Sequence, residues 1–397
     1  MRRRRPFTFA APLLLLGAAC AAGDDAPPAV AVRDSAGIRI VESTRPALPP
    51  DECFRVSERP ALVIGSVDSG FVGVVGAVRL TDGRIVVADF MTFELRIFAP
   101  DGRLLRVVGR LGGGPGEFSA LSGIEKLSGD SVIALDPLAG RETVFSPDGD
   151  VLQLRRSPPP AARFADGTVV RLQGAWTVAG DATGYIRDPL DATWYAPDGS
   201  ARQTVRFPGH ENYRIAEGGR IYNIEVPLAR ALRLAVHENR LFAGTGDEYA
   251  VDVYGADGKL QQRIRWHGPD RRLTADEFDA YAAAFLNAVP DENSRRRRAR
   301  VLAEAPFRDE LPAYAELRTD AAGNLWARSH ARPGSRMASW SVFDPQGRWL
   351  CDAALPADLT VTEIGTDYVL GIWKDELDIP FVHLHRMDAA ARPESAL

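Results

Sequence analysis

Methionine, cysteine and histidine are scarce in this chain, with 4, 3 and 6 copies among 397 residues. The six histidines, His210, His237, His267, His330, His383 and His385, show no spaced triad of the kind a catalytic metal uses. No Gly-x-Ser-x-Gly elbow occurs, so no serine nucleophile of that type is marked. The glycine-rich run Gly112-Gly-Gly-Pro-Gly116 lacks the Gly-Lys-Ser/Thr ending and the following helix that cradle a phosphate, and reads as a connection between structural units. After residue 20 no apolar run approaches the roughly 18 residues that cross a bilayer as a helix. Positive charge is not in excess: the formal net charge is −5, and it becomes −9 once Arg2, Arg3, Arg4 and Arg5 leave with the leader described below. That balance excludes a general nucleic-acid binder, and no cofactor is expected.

What is present fits a globular protein with a sizeable core, since 45% of residues are hydrophobic and 25% charged. Glycine (36) and proline (28) are dispersed along the chain beside 7 tryptophans, a mix that suits many short strands and turns. Residues 1–20 open with four arginines, continue through an apolar stretch from Phe7 to Leu16, and end in small residues at Cys20. This is the pattern of an export signal. The Gly17-Ala-Ala-Cys20 ending resembles a bacterial lipobox, which implies a lipidated Cys20 as the mature N-terminus; plain cleavage near Ala22 is the alternative. The resemblance places the protein in the periplasm or on the outer membrane. Residues 21–28, with Pro27 and Pro28, form a small, polar tether. Cys53 and Cys351 remain, and export permits a disulfide between them; two unpaired buried thiols are the alternative.

An aromatic-x-x-Asp-Gly turn recurs as Phe98-Ala-Pro-Asp-Gly102, Phe145-Ser-Pro-Asp-Gly149, Tyr195-Ala-Pro-Asp-Gly199 and Tyr254-Gly-Ala-Asp-Gly258, with Phe343-Asp-Pro-Gln-Gly347 a degenerate fifth copy. Alternating apolar residues flank each, so each reads as a hairpin whose glycine supplies a positive φ. A second hairpin precedes most of them, as in Leu80-Thr-Asp-Gly-Arg-Ile-Val-Val-Ala-Asp89, giving four antiparallel strands per repeat. Units of this length cannot bury both faces alone and stack radially into a propeller. The expected blades cover about residues 76–109, 122–156, 161–207, 231–268, 315–355 and 360–388. The sixth lacks one strand, which Ala61-Leu-Val-Ile-Gly65 is expected to supply, closing the ring.

Val86-Val-Ala-Asp89, Leu95-Arg-Ile-Phe98, Asp101-Gly102, Val108-Gly109 and Gly113-Gly-Pro-Gly-Glu-Phe118 resemble the NHL-repeat pattern of six-bladed β-propellers. Asp34-Ser-Ala-Gly-Ile-Arg-Ile-Val41 and Tyr368-Val-Leu-Gly-Ile-Trp-Lys-Asp-Glu-Leu377 are similar to stretches of bacterial lipoproteins of that fold with no assigned function. The pattern departs at Phe90-Met-Thr-Phe93, where a polar turn is usual. The resemblance implies the fold and carries no single activity.

The fold class expected is therefore all-β: a six-bladed β-propeller closed by an N-terminal strand, with a two-helix insertion between blades four and five. Residues 1–20 form the export signal, 21–50 the tether and N-terminal extension, 51–390 the propeller and 391–397 a tail. Within 273–311, Thr274 and Glu277 make a capping box, Phe278, Tyr281, Phe285, Leu286 and Val289 follow helical spacing, and a second helix is expected over about 292–305. The short Asp-Gly turns share one face, so the long segments 172–192, 208–230 and 267–314 lie on the other, where repeat folds commonly bind. A cleft is expected there over blades three to five, with Phe278, Tyr281 and Phe285 packed down and some of Arg295, Arg296, Arg297, Arg298 and Arg300 facing the opening. For those arginines a solvated helix face and contact with an anionic headgroup or acidic partner both stand open. Asp89 and Asp136 end strands and either line the channel or tie down turn amides. His383 and His385 share a strand face, but two ligands without a third make a poor zinc site. The expected function is an exported, lipid-anchored module that binds a protein or small molecule and touches the membrane only through its anchor. The alternative is a propeller hydrolase or lyase acting on a sugar or lactone with a divalent metal in the central channel.

Overall fold

The computed structural model describes residues 29–65, 70–174, 183–305 and 310–388. The export signal, Cys20 and the 391–397 tail lie outside the described residues. Six antiparallel sheets succeed one another along the chain, each with its first strand innermost. Blade one is Val74–Arg79, Ile85–Asp89, Glu94–Phe98 and Leu104–Val108. Blade two runs from Gly123–Lys126 to Val151–Arg155, and blade three from Ala162–Arg163 to Ala201–Phe207. Blade four runs from Arg233–His237 to Leu260–Trp266, and blade five from Glu316–Thr319 to Trp349–Pro356. Blade six has three strands of its own, Thr360–Ile364, Tyr368–Lys374 and Pro380–Asp388. Leu62–Ile64 pairs antiparallel with Pro380–Asp388 and completes it. The inner strand of blade one lies beside those of blades two and six, so the ring closes. The chain is a six-bladed β-propeller.

The core explains why the blades need one another. Among the described residues, five of the six clusters of buried side chains each span two neighbouring blades. Val86, Leu95 and Ile97 of blade one meet Val132, Ala134 and Phe145 of blade two. Trp326, Trp340 and Val342 of blade five meet Val361, Ile364 and Val369 of blade six. One blade alone would leave both apolar faces in water. The seam between blades two and three is instead polar: Arg163 reaches Glu125 at 3.2 Å and also bonds Glu142. Burial raises the Glu125 carboxyl above its usual range, against the opposing pull of Arg163. At the repeated turns Gly102, Gly149, Gly199, Gly258 and Gly347 have φ between 79° and 88°, a conformation that costs other residues strain.

The N-terminal extension is more than a tether. Val30–Ser35 and Ile38–Ser43 form a hairpin, and the second strand pairs parallel with Leu260–Trp266 as an extra edge of blade four. Ala47 and Leu48 then donate to the carbonyls of Trp349 and Leu350 in blade five. Cys53 is bonded to Cys351 with their Cα atoms 5.6 Å apart. Arg55–Val56 and Leu62–Ile64 finally join blade six. The segment thus belts three blades along the rim before the first blade begins.

Candidate functional site

Because every inner strand runs the same way, one end of the ring carries the Asp-Gly turns and the other the long connections. On the long-connection side a third kind of structure appears that the repeat pattern does not announce. Gly184–Ile186, Asn212–Glu217 and Arg220–Glu225 form a separate three-stranded antiparallel sheet, with Asn212–Glu217 in the centre. Its hairpin turns through Gly218 (φ 57°) and Gly219 (φ 74°), the two positive values a tight two-residue turn demands.

Two helices pack on one face of this sheet. Helix α1 (Ala275–Asn287) starts at the Thr274–Glu277 capping box, and helix α2 (Glu292–Glu304) starts where Asp291 accepts from the Ser294 amide at 2.8 Å. Val301 of α2 is fully buried against Tyr213 and Ile215, with Tyr185, Tyr222, Ile224 and Phe285 around it. Tyr213 donates its hydroxyl to Glu304. That bond, followed by burial, raises the phenol's pKa, and it also holds the Glu304 carboxyl below its usual range, with help from Arg300. Helix α1 is tied to blade five: Tyr281 donates to the Ala331 carbonyl at 2.6 Å, and Arg332 pairs with Glu277 at 2.7 Å. Phe278, Tyr281 and Phe285 are half-buried rather than sealed in a core.

A cleft of about 540 Å³ opens between the sheet edge and the helices, lined by Tyr222, Ile224, Val226, Leu228, Phe285, Val289, Arg297 and Arg298. The Arg297 guanidinium stands 4.2 Å over the Tyr222 ring and 3.9 Å from the exposed Glu217 carboxylate. The Arg298 guanidinium stands 4.7 Å over the Phe285 ring and donates to the Phe285 carbonyl. Both arginines lay apolar stems along the wall while keeping the charge at the surface. Arg295, Arg296 and Arg300 are exposed instead; Arg296 bonds Asn293 and Arg300 pairs with Glu304 at 2.9 Å. The other face of the small sheet, with Ile186, Asp188, Asn212 and Arg214, borders a second cavity of about 340 Å³.

The remaining candidates resolve differently. Asp89 is fully buried and accepts from the amides of Val72, Gly73, Met91 and Thr92 at 2.8–3.3 Å. Asp136 accepts from the amides of Ser119, Ala120 and Ala139 and from Arg141 at 3.1 Å. Both carboxylates are thus committed to turns and not presented to the channel. Arg141 in turn donates to the carbonyls of Gly112, Gly113 and Glu117, which fixes the glycine-rich run as the link from blade one to blade two. His385 bonds the Ser57 carbonyl at 2.7 Å, and His383 stacks on Trp373 with centroids 5.1 Å apart. Among the described residues no three His, Cys, Asp or Glu side chains converge as metal ligands, and no helix is long and apolar enough to cross a membrane.

Tyr222, Ile224 and Val226 are, with Leu228, cleft residues that sequence reasoning missed. The signal was available for the first three: apolar residues alternate on either side of Gly218-Gly219, as in any tight hairpin.

No curated protein matches the chain. Its structure is similar to a Bacteroides fragilis protein provisionally described as exported, at 13% identity and a TM-score of 0.47, over 89% of this chain and 100% of that one. It is also similar to a member of the duf4221 family from Bacteroides vulgatus, at 9% identity and a TM-score of 0.43, over 85% and 99%. A virginiamycin B lyase from Staphylococcus aureus, in a catalytically inactive form with quinupristin, is similar at 10% identity and a TM-score of 0.38, over 84% and 99%. Residues 66–141, which hold blade one and the first half of blade two, match the model of a family described as a 6-bladed beta-propeller.

Proposed function

We propose that this protein is an exported binding module, held to a membrane by a lipidated Cys20, whose ligand occupies the cleft between the small sheet and the helical insertion. The observation that carries the reading is the pairing of an apolar floor with two arginines laid on aromatic rings at its rim. Such a surface suits a ligand with an anionic group beside an apolar body: the guanidinium forks take carboxylate or phosphate, and the aliphatic walls take the rest. The scaffold under it is rigid, because the helices are pinned to both the small sheet and blade five.

A thermal-shift panel of alkyl phosphates and N-acyl amino acids tests the site. At least one class should raise the unfolding midpoint of the wild-type protein, and the Arg297→Ala, Arg298→Ala double variant should lose that rise when measured against its own ligand-free midpoint. An equal rise in the variant would place the site elsewhere. The anchor is tested separately by fractionating cells that express Cys20→Ala. The variant should be exported yet found in the soluble fraction; continued membrane retention would defeat the lipoprotein reading.

A further inference from the structure

The small sheet ends in an open edge, and its hydrogen-bond phase can be read. Val226 donates its amide to the Glu211 carbonyl at 3.3 Å, one step beyond the register that pairs Asn212 with Glu225 and Glu217 with Arg220. Pairs that exchange both main-chain bonds recur every second residue in an antiparallel ladder. Arg220, Tyr222 and Ile224 therefore turn their main-chain groups inward to the central strand. Ile221, Asn223 and Glu225 turn theirs outward, where no main-chain partner meets them among the described residues. Their side chains are exposed as well, so none of them folds back as a cover.

Every blade of a propeller has an outer edge, so an open edge alone means little. This one differs in what overhangs it. Tyr222 and Ile224 point to the helix side, where Phe285, Val289, Arg297 and Arg298 complete the cleft. We propose that Arg220–Glu225 is a docking edge for an extended acidic peptide, which adds as a fourth strand of the small sheet. The inference rests on the cleft reading above and names the class of ligand.

The chemistry follows from strand periodicity. A peptide pairing with Ile221, Asn223 and Glu225 satisfies their outward amides and carbonyls, and its alternate side chains face the helices. Carboxylates at those alternate positions meet Arg297 and Arg298. The contact of Arg297 with Glu217, at 3.9 Å and on an exposed carboxylate, is loose enough to be exchanged for a peptide carboxylate. Charge favours the acidic class: of the five arginines of α2, Arg297 and Arg298 line the cleft, against the single carboxylate of Glu225 in its lining.

The probe is a fluorescein-labelled peptide of four Glu-Val repeats, titrated against the full-length protein by polarisation. Binding should be weakened about tenfold or more by Asn223→Pro, which removes one outward amide and leaves the ladder to the central strand intact. Asn223→Ala keeps that amide and should bind as the wild type does. Arg297→Glu should weaken binding similarly, and a Lys-Val peptide should not bind. A Glu-Val peptide methylated on alternate amides should also fail, which tests the main-chain pairing without altering the protein. Unchanged binding by Asn223→Pro and by the methylated peptide, with loss only in Arg297→Glu, would overturn strand addition yet leave an anion-binding cleft standing. Absence of Glu-Val binding at millimolar peptide would overturn the peptide class, whatever the alkyl phosphates do.

Discussion

Asp89 and Asp136 hold equivalent places in blades one and two, and their burial settles which of two roles they play. A strand-terminal aspartate reads from sequence either as a channel ligand or as a turn clamp, because both put a carboxylate at a strand end. Only the fold brings Val72 and Gly73 within reach of Asp89, and those amides lie 17 and 16 residues away. Histidines carry a different message at this scale. Burial, then the neighbouring His385, holds the His383 imidazole down to about 4; burial, then Arg233 and Arg328, does the same for His330. The unfolded chain takes up these protons near the ordinary value of about 6.5, well before the folded one. Stability is therefore full above pH 6.5 and falls as the pH drops toward 4. Between pH 7 and 5 each histidine should cost up to about 2 kcal/mol, by proton linkage. Urea unfolding at pH 7, 6 and 5 measures this, and the His330→Gln, His383→Gln double variant should flatten the slope. A wild-type stability that does not change over that range would show both imidazoles to be hydrated.

Among elements, legibility tracked how local the determining contacts are. The helices of the insertion were readable because a capping box, an apolar period and Pro290, which stops that period, all lie within one short segment, and α1 and α2 fall where that reading puts them. The blades were readable because each is a pair of hairpins whose turns repeat. The small sheet was not readable as a whole: its Asn212–Glu225 hairpin is local, but its third strand, Gly184–Ile186, comes from an earlier connection across two intervening blade strands. The N-terminal hairpin shows the same divide. Ala36 (φ 51°) and Gly37 (φ 80°) mark its turn locally, whereas its parallel pairing with blade four depends on a strand more than 200 residues away. Of the cleft, the arginines and Phe285 were legible from the helices; the opposite wall was not, because its position is a tertiary fact.

For the whole molecule the decisive question is what keeps the ring shut, since a propeller joins its first and last blades without a covalent link between neighbouring strands. Strand pairing of Leu62–Ile64 with Pro380–Asp388 is short, three residues by register. The rim belt adds main-chain bonds from Ala47 and Leu48 to blade five and from Ser57 and Ala61 to blade six. The Cys53–Cys351 bond then fastens this belt at its middle, beside Leu48, Leu350 and Met387 in the buried cluster between blades five and six. Its partners are 298 residues apart, so the bond removes a long loop's freedom from the unfolded chain. The Cys53→Ser, Cys351→Ser double variant should lose about 2–5 kcal/mol in denaturant unfolding. Dithiothreitol should lower the midpoint of the wild-type protein toward that of the variant and leave the variant itself unmoved. Such a result would tie stability to an oxidising compartment, in keeping with the export proposed above. If the variant instead unfolds at the wild-type midpoint, the belt's hydrogen bonds and apolar contacts alone close the ring, and the disulfide is not the fastening argued here.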